Sequence, residues 1–118
     1  MAKTNHESGI EAEAAVCKYL MRNDFSILNT RYKNKVGEID IIAVNDNTIL
    51  FIEVKRRKAE VIDDPVTYTQ KKRIINAALQ YISENPEIAE YDMRFDCILV
   101  DNDLSVNHIE DSWRIEEI

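Results

Sequence analysis

Asp40, Glu53 and Lys55 sit inside two runs that otherwise read as buried strands, Gly37-Glu38-Ile39-Asp40-Ile41-Ile42-Ala43 and Ile49-Leu50-Phe51-Ile52-Glu53-Val54-Lys55. An unpaired charge in such a setting is costly. Two carboxylates sharing one divalent cation would account for that cost, and a lysine beside them adds a point charge able to position water or an anionic oxygen.

The spacing supports a shared site. Asn45-Asp46-Asn47-Thr48 is turn chemistry between β-rich runs, and a hairpin centred on Asp46-Asn47 places Asn45 opposite Thr48. Counting back, Asp40 falls opposite Glu53 and Glu38 opposite Lys55, all on one face. Directly opposed Cβ atoms lie roughly 4.5–5.5 Å apart, close enough for two carboxylates to grip one ion. A slip of one residue would put the carboxylates on opposite faces. The plain alternative for Glu53-Val54-Lys55 is an edge strand with a solvated face. The unbroken run Ile49 to Ile52 argues instead for a strand covered on both sides.

The elements around this hairpin follow from periodicity. From Glu7 to Asn23 the spacing predicts a helix with Glu7, Glu11, Lys18 and Arg22 on its polar stripe and Ile10, Ala14, Cys17, Leu20 and Met21 on its apolar one. Ser8 is the expected cap, and Gly9 is expected to allow a close backbone approach. Glu13 falls toward the core while Glu11 points to solvent, so Glu13 is a candidate third acid beside Asp40 and Glu53; the helix dipole alone is the other way to satisfy it. Phe25 to Asn29 reads as a first strand and residues 59–66 as a loop. Thr67 or Thr69 caps a second helix from Thr69 to Ser83, with Ile74, Ala78, Tyr81 and Ile82 on its inner face and Gln70 also turned inward. Glu84-Asn85-Pro86 ends it. Met93 to Val100 and Ser105 to Ile109 are the last strands, and Trp113 is expected to dock the C-terminus on the core. The order α-β-β-β-α-β-β predicts an α/β domain, a central mixed sheet flanked by helices.

Composition narrows the class. A chain of 118 residues, 45% hydrophobic, is expected to form one domain spanning 1–118. No apolar run approaches a membrane span and the N-terminus lacks a signal-like segment, so a cytoplasmic protein without membrane contact is the expectation. Cys17 and Cys97 lack zinc spacing and read as small buried hydrophobes; His6 and His108 are isolated and receive no role. The net charge of −7 is unevenly spread: residues 1–30, 31–73 and 74–118 carry −1, +3 and −9. Only the central segment is basic. Arg31, Lys33 and Lys35 precede the hairpin, Arg56, Arg57 and Lys58 leave it, and Lys71, Lys72 and Arg73 open the second helix. Together they are candidates for a phosphate path, the alternative being solvated surface charge. No base-reading motif or row of stacking aromatics stands out.

These residues carry a resemblance. Gly9 with Glu13, Tyr19-Leu20, Gly37-Glu38-Ile39-Asp40, Phe51-Ile52-Glu53-Val54-Lys55-Arg56-Arg57, Ala77-Ala78 and Arg94-Phe95-Asp96 resemble the UPF0102 (YraN-like) family of the PD-(D/E)xK nuclease superfamily, which is similar to archaeal Holliday-junction resolvases. The resemblance spans nearly the whole chain. It implies a restriction-endonuclease-like fold and a Mg²⁺- or Mn²⁺-dependent endonuclease acting on DNA, branched or structured DNA included, with a homodimer as the geometry for two-strand substrates. It implies metal ligation by Asp40, Glu53, the Val54 carbonyl and Glu13, a water-orienting role for Lys55, and support from Glu38 and Gln70. Two departures stand out: Ile39 replaces the proline of the first half-motif, and Gln70 stands where these sequences more often carry lysine. The alternatives are a non-catalytic DNA-processing adaptor and a protein-interaction module that keep the fold.

Overall fold

The computed structural model describes residues 3–56 and 64–118. Helix α1 (Asn5–Arg22) begins at Thr4, whose Oγ1 accepts from the Glu7 N–H at 3.1 Å while the Glu7 carboxylate accepts back from Thr4 N–H. This capping box starts the helix earlier than a Ser8 cap would, so Ser8 lies inside the first turn. The buried stripe is Ala12, Val16 and Leu20, whereas Ile10 and Met21 are exposed. Ala12, Val16 and Leu20 recur four residues apart on one face and pack with Ile41, Leu50 and Ile52 of the sheet, which leaves Ile10 and Met21 to solvent. A Cβ on Gly9 would meet open space, so the expected close approach is not there.

Strands β1 (Ser26–Lys33), β2 (Glu38–Asn45), β3 (Thr48–Arg56), β4 (Asp92–Val100) and β5 (Val106–Trp113) form one sheet in chain order. All neighbours are antiparallel except β3 and β4, which run parallel and are joined through helix α2 (Tyr68–Glu84). Both β1 and β5 extend beyond the short strands the sequence suggests. Two single 3₁₀ turns, Pro86–Ile88 and Ile115–Glu117, complete the described elements. Thr67 caps α2 in a second capping box with Gln70. Of the expected loop over residues 59–66, only Asp64 to Val66 lies within the described residues, and Val66 is buried.

The mixed α/β architecture and element order agree with the reading of the sequence. Its core has two layers, one on each side of the sheet. Ile49 and Phe51 pack toward α2 with Ile74, Ala78 and Tyr81, while Leu50 and Ile52 pack toward α1 with Ala12, Val16 and Leu20. The uninterrupted Ile49–Ile52 run is thus the signature of a strand with helices on both faces. Each of the large aliphatic side chains and Phe51 contributes roughly 1.5–3 kcal/mol on burial, Ala12 and Ala78 less. Trp113 is 1% exposed and stacks on Phe95, centroids 5.6 Å apart, which fixes the chain's end against the sheet.

Candidate active site

The turn at Asp46-Asn47 sets the β2–β3 register through Asn45↔Thr48, Val44↔Ile49, Ala43↔Leu50, Ile42↔Phe51 and Ile41↔Ile52. Asp46 takes φ 51°, a left-handed conformation that Asp tolerates better than most residues. The ladder then stops, one pair short of Asp40 and Glu53. Beyond that point β3 continues with β4 as far as Arg56↔Val100, while β2 stays with β1 through Tyr32↔Ile39 and Lys33↔Glu38. The two strands fork, and Asp40 Oδ2 fills the opening by accepting from the Val54 N–H at 2.8 Å.

The alternation of β3 carries Glu53 and Lys55 to the α2 side. The Glu53 carboxyl lies close enough to Asp40 to share a proton with it, and its pKa is pushed up to about 9, first by burial, then by Asp40 and Glu38, with Lys55 partly offsetting. Burial and the neighbouring Asp40 thus favour the protonated form of Glu53. Lys55 is half-buried and makes no hydrogen bond or ion pair among the described residues. The expected pairing of Glu38 with Lys55 does not form. Glu38 follows β1 and meets Lys33 at 3.5 Å.

A cleft wraps the start of β2. On the α2 side a hollow of about 600 Å³ includes Lys33, Gly37, Glu38, Glu53, Gln70 and Arg73 in its lining. On the α1 side, Gly9, Glu13, Arg31 and Asp40 line another of about 450 Å³, and Lys33 and Glu38 border both. The α2 wall is held close by Gly37, where a Cβ would come within 2.8 Å of the Arg73 carbonyl oxygen. The loop before it is tied down by Asn34, whose Oδ1 accepts from the Val36 and Gly37 N–H groups and whose Nδ2 donates to the Ala77 carbonyl.

The candidate residues divide in this frame. Asp40, Glu53 and Lys55 come together. Glu13 faces inward as its position on α1 implies, but Arg31 Nε donates to its Oε1 at 3.1 Å. Among the described residues no cluster of three or more His, Cys, Asp or Glu side chains is arranged to hold a metal ion. Gln70 reaches the cleft, yet its Oε1 accepts from the Thr67 N–H at 3.1 Å, so it also serves as the helix cap. Arg56 turns to the α1 side, 4.0 Å from Glu11, and Lys71 is paired with Asp64. Lys35, Lys72 and Arg73 make no ion pair or side-chain hydrogen bond among the described residues. Arg57 and Lys58 lie outside the described residues.

Two features escaped the sequence reading. His6 lines the α1-side hollow with Glu13. His108 is not isolated: its Nε2 lies 2.6 Å from Asp96 Oδ2 and its Nδ1 2.8 Å from the Tyr19 hydroxyl. Asp96 is fully buried and also accepts two bonds from Arg94 and one from the Asp111 N–H. Burial would raise its pKa, but His108, Arg94 and that N–H together hold it below the usual range. The signal available in sequence was Arg94-x-Asp96 on one strand face. Its link to His108 depends on an irregularity in the β4–β5 register opposite Asp96, with Asp111 at φ 51°. Cys97 is buried as expected, and burial pushes its thiol up to about 12; Cys17, on the edge of the α1 inner face, is only half-buried, its thiol also raised by burial and by Glu13.

The chain matches the model of Uncharacterised protein family UPF0102 over residues 12–100. It is a member of family UPF0102. A UPF0102 protein of Clostridium botulinum is 35% identical over 122 residues, covering 97% of this chain and 99% of its own length. Others in UPF0102 include one from Bradyrhizobium diazoefficiens, 44% identical over 96 residues, covering 79% of this chain and 71% of its own, and one from Francisella tularensis subsp. novicida, 35% identical over 113 residues, covering 92% and 96%. Among the described residues of this UPF0102 member, no helix is long and apolar enough to cross a membrane.

Proposed function

We propose that this protein is a divalent-metal-dependent nuclease hydrolysing phosphodiester bonds of DNA. The observation that carries the reading is the meeting of Asp40 and Glu53 at the β2–β3 fork, where burial and mutual repulsion leave a proton on a carboxyl that a cation would displace. The donor set is made of hard oxygens, which suits Mg²⁺ or Mn²⁺. Asp40, Glu53 and the Val54 carbonyl would hold the ion, with Glu13 joining once released from Arg31. When bound, the ion would activate water and neutralise charge on the phosphate. Lys55, which makes no hydrogen bond or ion pair among the described residues and lies near enough to Glu53 to act on its charge, orients the attacking water and steadies the non-bridging oxygens as a compact point charge. Lys35 and Arg73, which line the α2-side hollow, meet backbone phosphates there, with Lys72 next to Arg73 on α2 as a further contact. A homodimer would present two such clefts to a branched substrate.

The second reading is a non-catalytic DNA adaptor, and the Glu13–Arg31 ion pair favours it, since that acid is engaged away from the other two. A cleavage panel of flap, four-way junction, single-stranded and duplex DNA with Mg²⁺ or Mn²⁺ separates the two. The nuclease reading expects metal-dependent cleavage that falls by at least about 100-fold in Asp40→Asn and in Lys55→Ala, with both variants folded. Binding without cleavage by the wild-type chain on every substrate would establish the adaptor instead.

A further inference from the structure

Arg31 occupies a position that an ordinary strand residue does not. The β1–β2 register runs through Thr30↔Ile41 and Tyr32↔Ile39, so Arg31 stands at the rung opposite Asp40, yet that rung is missing from the ladder. Its backbone takes φ 51°, a left-handed conformation that is uncommon for a residue with a long side chain and costs of order 1 kcal/mol or more. Strain of this kind persists only where the surroundings over-determine it, and here it falls beside the carboxylate pair. The side chain is 51% exposed and lines the α1-side hollow with Glu13, Lys33 and Asp40. Nε alone is used, on Glu13 Oε1, so both terminal nitrogens are without hydrogen bonds among the described residues. A guanidinium held by one edge keeps its two-pronged face open, and that face matches two oxygens of a phosphodiester.

We propose that Arg31 is the phosphate clamp of this site, held on Glu13 until a backbone phosphate of the nucleic acid displaces that carboxylate. The proposal rests on the nuclease reading and adds to it a specific contact and a reason for the engaged state of Glu13. Glu13 and the phosphate compete for one guanidinium, and a phosphate that wins it also frees Glu13, which lines the α1-side hollow with Asp40. Arg31 thereby couples substrate arrival to completion of the acidic set.

The test is a double-mutant cycle on DNA affinity without any divalent ion. Fluorescence anisotropy of a labelled DNA duplex in EDTA is compared for the wild type, Glu13→Gln, Arg31→Ala and the double variant. Glu13→Gln is expected to tighten binding about threefold to tenfold and Arg31→Ala to weaken it about tenfold, because charged contacts to phosphate are lost or released. In the Arg31→Ala background the Glu13 substitution is expected to change affinity by less than about twofold. Arg31→Gly, which suits the left-handed backbone, removes the same side chain and should reproduce the Arg31→Ala result, excluding misfolding as its cause. Equal effects of Glu13→Gln in both backgrounds would overturn the clamp while leaving the nuclease reading intact. Absence of DNA binding by all four proteins would remove both.

Discussion

Glu53 carries the strongly raised carboxyl of the candidate site. Its carboxyl has an ordinary value of 4.5 and is raised to about 9 in the fold, so the native state holds a proton there that the unfolded chain has given up. The sign of the linkage follows: as pH rises from about 4.5 to about 9, this group makes the metal-free protein progressively less stable. Glu53→Gln is therefore expected to stabilise the metal-free protein by about 1–3 kcal/mol near pH 8 and far less near pH 5, as read from urea midpoints at the two pH values. A destabilisation at pH 8 would mean that Glu53 is already ionised and paired. This residue was legible because the count back from the two-residue turn at Asp46-Asn47 leads to its neighbourhood, although the Asp40–Glu53 rung itself does not form: the ladder ends at Ile41↔Ile52 and Asp40 accepts from the Val54 N–H instead. Arg31 was visible in sequence only as a basic residue, since nothing local in Thr30-Arg31-Tyr32 announces a left-handed backbone. His108 was not legible at all: its partner Asp96 lies across a β4–β5 irregularity that no periodicity encodes.

Among the elements, the fork between β2 and β3 does the positioning, and it exists because each strand has a better partner beyond Ile41 and Ile52. β3 runs on beside β4, and β2 is held by β1 and by the Asn34–Gly37 loop packed on α2. Gly37 is the tightest point of that arrangement. Gly37→Ala is expected to cost about 1–3 kcal/mol, because the new methyl would meet the Arg73 carbonyl oxygen rather than a side chain able to move aside. A thermal midpoint unchanged from the wild type would show that the α2 wall yields freely. The sequence read element order well, since Ile49–Ile52, the two helical stripes and the turn residues are local signals. It misread the inner face of α1, where Ile10 and Ala14 fit the same period as Ala12 and Val16, and only packing on the sheet chooses between them. It also placed Glu38 with Lys55, because a register count assumes that the ladder continues to its end.

Over the whole molecule, charge is divided between a basic central segment, residues 31–73, and an acidic C-terminal third. Five of the basic residues that the composition assigned to one path are now distinguished: Arg31, Lys33, Arg56 and Lys71 are engaged by carboxylates, while Arg73 faces the α2-side hollow beside Glu53. Residues 74–118 carry a net charge of −9, which disfavours a polyanion beside that segment. Within the cleft, Asp40 and Glu53 are proposed to form one cation site, occupied by a shared proton when no cation is bound. Calorimetric titration with Mn²⁺ at pH 7, in two buffers of different ionisation enthalpy, measures ion binding and proton release together. The account predicts binding that releases about one proton and is lost in Asp40→Asn. Absence of binding by the wild type, or binding that releases no proton and survives Asp40→Asn, would contradict it.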